Sequence, residues 1–274
     1  MNDHASRFGG ISRLFADAGL ERLRRAHVCV VGIGGVGSWA VEALARSGIG
    51  ALTLIDLDDI CVTNINRQLH ALDGSIGRPK VDAMAERVRA INPGCTIHTL
   101  HTFFTEANAE EILQTRFDYV LDAIDNPAKK SLLIAACHQR SIPVFVVGGA
   151  GGRPDATALK ITDLTLSTHD RLLTEVRSLL RAKHQFPRGK KSFGIPCVHV
   201  GEPALFPQSD GTVCERREEG SSLRLNCASG YGTACFVTGA FGFAAAGHIV
   251  RAIAAGNNGA GTSANDPEQR PNHG

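Results

Sequence analysis

The chain has 274 residues, a formal net charge of +2, 43% hydrophobic and 20% charged residues. That composition supplies the branched apolar side chains of a substantial core and confines disorder to local segments. A charge this small does not by itself mark a nucleic-acid-binding surface. The opening MNDHASRFGG has no apolar run beside a basic start, so no secretory signal is read and a cytoplasmic location is expected. The eight cysteines include no CxxC pair, which argues against a structural zinc site and against a disulfide framework.

Taken in chain order, short apolar runs alternate with helical patterns through the first half. Strands are predicted at 27–31, 52–56, 96–100, 119–123 and 144–147, each bounded by polar, Gly or Pro residues. Helices are predicted at 36–46, at 79–91 behind Pro79, and from Asn126-Pro127 to about Arg140. This βαβ alternation predicts an α/β fold, a Rossmann-like and mostly parallel sheet with flanking helices. After Gly148–Gly152 the pattern weakens to strands near 156–162 and 197–200 around a helix at 169–182, a smaller C-terminal α/β extension. Residues 183–192 read as a mobile loop. The segment 234–253 is long enough to be a membrane span, but His248, Arg251 and its glycines favour a buried or dimer-interface helix. The expected division is a Rossmann-like domain with an N-terminal arm at 1–152, a smaller second part at 153–255, and a disordered tail at 256–274.

The first strand runs into Gly32-Ile33-Gly34-Gly35-Val36-Gly37-Ser38, a glycine-rich turn between strand and helix. Such a turn lets backbone N–H groups approach phosphate at a helix N-terminus. The second strand ends at Asp56, where a carboxylate can accept from a ribose. Dehydrogenases share both features. Asp56-Leu57-Asp58, Asn64-Ile65-Asn66-Arg67-Gln68, Gly77-Arg78-Pro79-Lys80 and Asp122-Ala123-Ile124-Asp125-Asn126 follow in series, and a dehydrogenase needs none of them. Handling a triphosphate calls for cations at the phosphates and a carboxylate for magnesium, which Arg67, Lys80 and Asp125 offer from strand ends. Singly, Arg67 reads as a surface ion pair and Lys80 as a solvated first-turn residue.

Together these motifs resemble the ubiquitin-activating-enzyme superfamily, which includes bacterial sulfur-carrier adenylyltransferases, over about the first 150 residues. The resemblance implies an ATP and Mg2+ site formed by Gly34, Gly35, Gly37, Asp56, Asp58, Asn64, Arg67, Gln68, Lys80, Asp125 and Asn126, with Asp125 as the metal ligand. It also implies a homodimer in which an N-terminal arginine, Arg7 or Arg13, reaches the partner's ATP. Sulfur-carrier adenylyltransferases usually hold zinc on two CxxC pairs, which this chain lacks. Arg7-Phe8-Gly9-Gly10, Lys190-Lys191-Ser192-Phe193-Gly194 and Asn226-Cys227-Ala228-Ser229-Gly230 instead resemble the tRNA threonylcarbamoyladenosine dehydratases, over nearly the whole chain to about Gly256.

That resemblance implies ATP-dependent cyclisation of a modified adenosine beside the tRNA anticodon, through adenylation or phosphorylation of its threonyl carboxylate, and a link to a cysteine-desulfurase relay. The attacking ureido oxygen belongs to the substrate, so proximity replaces an enzyme nucleophile. Cys227 is then either a packing residue or a thiol with a covalent role. The second reading is an adenylyltransferase for a ubiquitin-like carrier. Arg171, Arg177, Arg181, Lys183, Arg188, Lys190 and Lys191 make one segment basic. This segment is either a solvated helix face or a tRNA-backbone surface, with Arg188, Lys190 and Lys191 as its substrate-binding candidates.

Overall fold

The computed structural model describes residues 3–189, 191–216 and 231–256. The five apolar runs of the first half form β1 (His27–Val31), β2 (Ala51–Ile55), β3 (Thr96–Leu100), β4 (Tyr119–Asp122) and β5 (Val144–Val147). Strands covered on both faces read as continuous apolar runs, and β1, β2, β4 and β5 are buried almost throughout. β6 (Leu159–Asp163) and β7 (Pro196–Val200) extend the same sheet. Its order is β3-β2-β1-β4-β5-β7-β6, parallel except where β6 runs against β7. A short hairpin of β8 (Phe206–Pro207) and β9 (Val213–Cys214) stands apart from it.

Helices cover both faces. α1 (Asp3–Arg25), α2 (Gly37–Arg46), α3 (Lys80–Ile91) and α7 (Cys235–Ala255) share one apolar core with the sheet. α4 (Ala109–Gln114), α5 (Pro127–Gln139) and α6 (Arg171–Lys183) share the other. Asn126 caps α5, its side chain accepting from the N–H groups of Ala128 and Lys129 just ahead of the expected Pro127 start. Asp170 caps α6, whose Leu173, Val176 and Leu180 point inward at helical spacing.

α1 is absent from the sequence-based expectation. The helix is interrupted at Phe8 and at Ala16, where φ is 59°. Phe8 is buried against Gly48 and stacks near His4. Further along, the Arg22 guanidinium donates to the Ala254 carbonyl and ties α1 to the end of α7.

α7 is long and apolar enough to cross a membrane, yet more than half of its most apolar stretch is buried in the fold. Val237, Phe241, Ala245, Ile249 and Ile253 form its inward stripe. At Gly242 a Cβ would stand 2.7 Å from the Val36 carbonyl oxygen and 2.9 Å from the Ala40 nitrogen, so only glycine lets α7 lie this close to α2. Gly242→Ala should therefore lower the unfolding free energy by roughly 1–3 kcal/mol through overpacking. The measurement is the urea midpoint at constant m value. An unchanged midpoint would mean that α7 has room to shift.

Candidate active site

In an open α/β sheet, ligands sit beyond the carboxyl ends of the strands where the strand order reverses. Here that point lies between β1 and β4, from which the chain builds outward in opposite directions. The glycine-rich turn leaves β1 with Gly32 at φ 93°, and a Cβ there would stand 2.7 Å from the Ala123 carbonyl oxygen beyond β4. Asp56, at the end of β2, holds this turn open. One carboxylate oxygen accepts from the Ile33 N–H at 2.7 Å and the other from the Asp58 N–H at 2.9 Å. Gly34 and Gly35 line the cleft floor. Gly37 does not: a Cβ on it would overlap the Gly32 carbonyl, so this glycine closes the turn instead of facing a ligand.

The charged set gathers around that floor. Lys80, at the start of α3, is 6% exposed, and its Nζ meets Asp58 Oδ2 at 2.8 Å. Asn64 is buried, accepts from the Cys61 N–H and anchors the short turn carrying Arg67 and Gln68. Arg67 curls back so that one guanidinium nitrogen donates to the Thr63 carbonyl and to Asn66 Oδ1. Its own carbonyl accepts from the Trp39 indole at 3.0 Å and the Thr238 hydroxyl at 3.1 Å, so α2 and α7 jointly fix this residue. Gln68 lines the cleft with a buried Oε1 that has no hydrogen-bond partner. Asp125 and Asn126 are exposed on the opposite wall, and Lys129 lies over the Phe103 ring beside them.

Beneath that wall lies a fully buried ion pair, Lys130 Nζ to Asp122 Oδ1 at 2.9 Å, with the ammonium also donating to the Asp122 carbonyl. Burial raises the Asp122 carboxyl above its usual range, while Lys130 and the Ile124 N–H oppose the shift. The pair pins the end of β4, from which Asp125 projects.

The cleft continues past β5. Gly148, Gly149, Ala150, Gly151 and Arg153 line it, together with His169, Asp170, Phe206 and Tyr231. Asp170 accepts here: Oδ2 takes the Gly149 N–H and Oδ1 the Leu173 N–H, both within 2.9 Å. The whole cleft measures about 1460 Å³. A single drug-sized ligand occupies roughly 300–1,000 Å³, so two reactants fit side by side.

A model of the ThiF family matches residues 10–265. The chain belongs to the ThiF family. It is 49% identical over 252 residues to the tRNA threonylcarbamoyladenosine dehydratase of Haemophilus influenzae, covering 91% of this chain and 94% of that one. Its structure matches that of the E. coli tRNA N6-threonylcarbamoyladenosine dehydratase in complex with ATP at a TM-score of 0.83 and 40% identity, covering 93% of this chain and 97% of that one. The E. coli molybdopterin-synthase adenylyltransferase is 35% identical over 143 residues, 52% of this chain and 56% of that one.

Within this ThiF-family chain, several predicted residues stand away from the cleft. Arg13 is exposed on α1, and Arg7 reaches the Ile91 carbonyl of its own chain. Arg188 and Lys191 are exposed but do not line the cleft, whereas Arg171 of the same basic segment does. Arg177 donates to Ser167 ahead of α6, and Arg181 donates to the carbonyls of Pro187 and Gly189, so the latter organises the loop. The loop's shoulders are tied down by Phe186 and Phe193, buried rings 5.0 Å apart. Lys190 and Cys227 lie outside the described residues. Sequence reasoning missed Lys129, the Asp122–Lys130 pair as a buried unit, Asp170 and Arg153. For the first three the signal was present, as Asn126-Pro127 fixes the helix that carries both lysines and an Asp before an amphipathic helix marks a cap.

His70 sits near Lys80, buried, with both ring nitrogens unpartnered. Burial first, and the Lys80 charge second, push its pKa down to about 4. Because protonation then favours the unfolded chain, the stability carried by neutral His70 is intact above about pH 6.5 and is lost as pH falls toward 4. The shift corresponds to roughly 3 kcal/mol. His248, lowered to about 4 by burial and Arg251, shares this behaviour. His70→Gln should flatten the fall in unfolding free energy between pH 6.5 and 4. An acid limb as steep as that of wild type would show that His70 is hydrated in the native state.

Proposed function

We propose that the chain is an ATP-dependent tRNA threonylcarbamoyladenosine dehydratase, which activates the threonyl carboxylate of the modified nucleoside and lets it cyclise. The observation that carries this reading is one continuous cleft whose lining runs from the glycine-rich turn after β1 to Arg153, Phe206 and Tyr231 beyond β5. The extent of the match to dehydratases supports it, since 91% of the chain aligns to the H. influenzae enzyme. Carrier-protein adenylation is the second reading, favoured by 35% identity to an adenylyltransferase that spans only 52% of this chain.

ATP fits the floor by its chemistry. Gly34 and Gly35 leave room for phosphate, and Asp56 keeps lone pairs for a ribose. The orphaned Gln68 Oε1 needs a donor such as a hydroxyl or amino group. Lys80 and Arg67 supply cations where phosphate charge develops, and Asn64 and Asn126 hold the turns that carry Arg67 and Asp125 respectively. Magnesium fits only as an ion held mainly by phosphates and water, with Asp125 as protein ligand, since no cluster of three metal-binding side chains exists among the described residues. When bound, it would neutralise charge on the phosphates.

A carboxylate oxygen of the substrate bonds to a nucleotide phosphorus, expelling pyrophosphate from the α-position or ADP from the γ-position. The ureido oxygen then attacks the acyl carbon, a proton leaves the ureido nitrogen, and AMP or phosphate departs. The nucleoside has lost the elements of water. The chain's own contribution is placement, because the second nucleophile is part of the substrate.

A homodimer and a cytoplasmic site of action belong to this reading. Arg13 faces solvent, so a second subunit is required for it to reach any nucleotide. Exposed Leu14, Phe236 and Phe243 offer apolar surface for such a contact. A cysteine-desulfurase relay partner rests on family resemblance, with no residue assigned to it.

Asp125→Asn should depress ATP turnover on tRNA more than it weakens ATP binding, and Lys80→Ala and Arg67→Ala should each cost about 10²-fold in turnover. Steady-state rates with bulk tRNA test this, and wild-type rates in any one variant would leave that residue a structural role. Stimulation by a carrier ending in Gly-Gly, with none by tRNA, would reverse the order of the two readings. Replacing Arg188, Lys190 and Lys191 with alanine should flatten the salt dependence of tRNA binding by roughly 0.7 to 0.9 log units per lost phosphate contact, with ATP binding intact. An unchanged slope would make that loop a solvated connection.

A further inference from the structure

The β5 side of the cleft holds a cation that the phosphate floor does not explain. Arg153 follows Gly151 and Gly152, and both glycines are forced by contact. A Cβ at Gly151 would stand 2.7 Å from the Tyr231 Cβ, and one at Gly152, where φ is 72°, 2.7 Å from the Leu205 carbonyl oxygen. Gly152 is also gripped from both directions, its N–H donating to the Gly232 carbonyl and its carbonyl accepting from the Leu205 N–H, each at 2.8 Å. The backbone that presents Arg153 is therefore fixed.

The guanidinium is fixed as well. One terminal nitrogen donates to the Glu202 carbonyl and the other to the His169 carbonyl, while Nε is buried without a partner. His169 holds its carbonyl there at a φ of 53°, a left-handed conformation that costs energy outside glycine and concentrates at functional sites. Arg153 is 6% exposed and makes no ion pair among the described residues. Asp170 and Glu202 are near enough to favour its charge. Asp170 accepts from the Gly149 and Leu173 N–H groups and forms no direct ion pair with the guanidinium. Burying a guanidinium without a directly paired carboxylate is costly, and an incoming anion relieves that cost.

Which anion is decided by position and shape. The cations Lys80, Arg67 and Lys129 line the cleft around β1, β2 and β4, whereas Arg153 lines it beyond β5 together with the Phe206 and Tyr231 rings, whose centroids are 5.3 Å apart. Aromatic faces suit an unstacked base, and a guanidinium fork suits a planar carboxylate. We propose that Arg153 is the substrate-recognising residue that binds the carboxylate of the modified nucleoside and presents it to the nucleotide, with Phe206 and Tyr231 facing the base. This rests on the dehydratase reading above. Charge neutralisation by Arg153 would also reduce repulsion between the carboxylate and the phosphate it must approach.

The test uses the full chain with a non-hydrolysable ATP analogue and three anticodon stem-loop RNAs. One carries threonylcarbamoyladenosine, one the same nucleoside with its carboxylate as a neutral amide, and one plain adenosine. Wild type should bind the carboxylate RNA about tenfold to a hundredfold more tightly than the other two, the range of a hydrogen-bonded charge. Arg153→Gln should erase that preference while retaining affinity for the amide RNA and the ATP analogue, and Arg153→Lys should keep part of it. A preference that survives in Arg153→Gln, or a wild type that treats the amide and the carboxylate alike, overturns the assignment of Arg153. An equal loss of all three RNAs in Arg153→Gln at an unchanged thermal midpoint assigns it a purely structural role and also overturns it. If wild type further fails to cyclise the carboxylate RNA with ATP, the dehydratase reading fails with it. Cyclisation that proceeds without a carboxylate preference defeats the Arg153 proposal alone.

Discussion

The site depends on the divergence of β1 and β4, neighbours in the sheet whose following segments depart toward opposite faces. Neither segment covers the gap between their carboxyl ends, and the cleft is that gap. Backbone N–H groups at the ends of parallel strands and the start of α2 point into it, which suits anionic ligands before any side chain is added. Close contact across the gap is what keeps it shaped: Gly32 lies against the Ala123 carbonyl, and Asp56 gathers the Ile33 and Asp58 N–H groups onto one carboxylate. Asp56 therefore acts first on the loop, and its remaining lone pairs are what a sugar would meet.

Electrostatics divide the cleft. Near β2 and α3 the half-exposed Asp58 balances Lys80, and this pair is open enough to exchange partners when phosphate arrives. The Asp122–Lys130 pair is sealed, and removal of either member would strand a buried charge. Past β5, Arg153 has hydrogen bonds but no direct ion pair among the described residues. The three arrangements suit three tasks: an exchangeable cation for phosphate, a rigid support for Asp125, and an incomplete one that a substrate anion would complete.

Much of this was legible in the sequence. Strands β1 to β5 fall within a residue of the apolar runs that predict them, because a parallel sheet buried on both faces leaves a dense local signature. The strand-end motifs were equally legible, since each occupies the few residues after a strand and the fold brings all such positions together. Where the reading missed, distant contacts decide the outcome. α1 carries a Gly pair and two non-helical residues, and its stability comes from α7 and Gly48. Arg153 follows a glycine run like many loop arginines, and its setting depends on Glu202, His169 and Tyr231, none of them its sequence neighbours. In the basic segment the charge is local and visible, but its disposition is not: Arg177 and Arg181 donate to backbone carbonyls, while Arg188 and Lys191 are exposed.

α7 shows why composition alone is ambiguous and how chemistry resolves it. A helix that spans a lipid bilayer must leave its lipid-facing side free of partners, whereas this one is bound along its length. Thr238 shares the Arg67 carbonyl with Trp39, Gly242 admits the α2 backbone, and Ala254 accepts from Arg22 of α1. The first of these contacts reaches the active site directly. Any displacement of α7 away from α2 moves a donor that fixes the Arg67 carbonyl, so the apolar packing on one face of the sheet sets the position of a charged group at its end. The short turn from Asn64 to Gln68 has too few residues to be rigid alone, and it borrows its rigidity from the last helix of the fold.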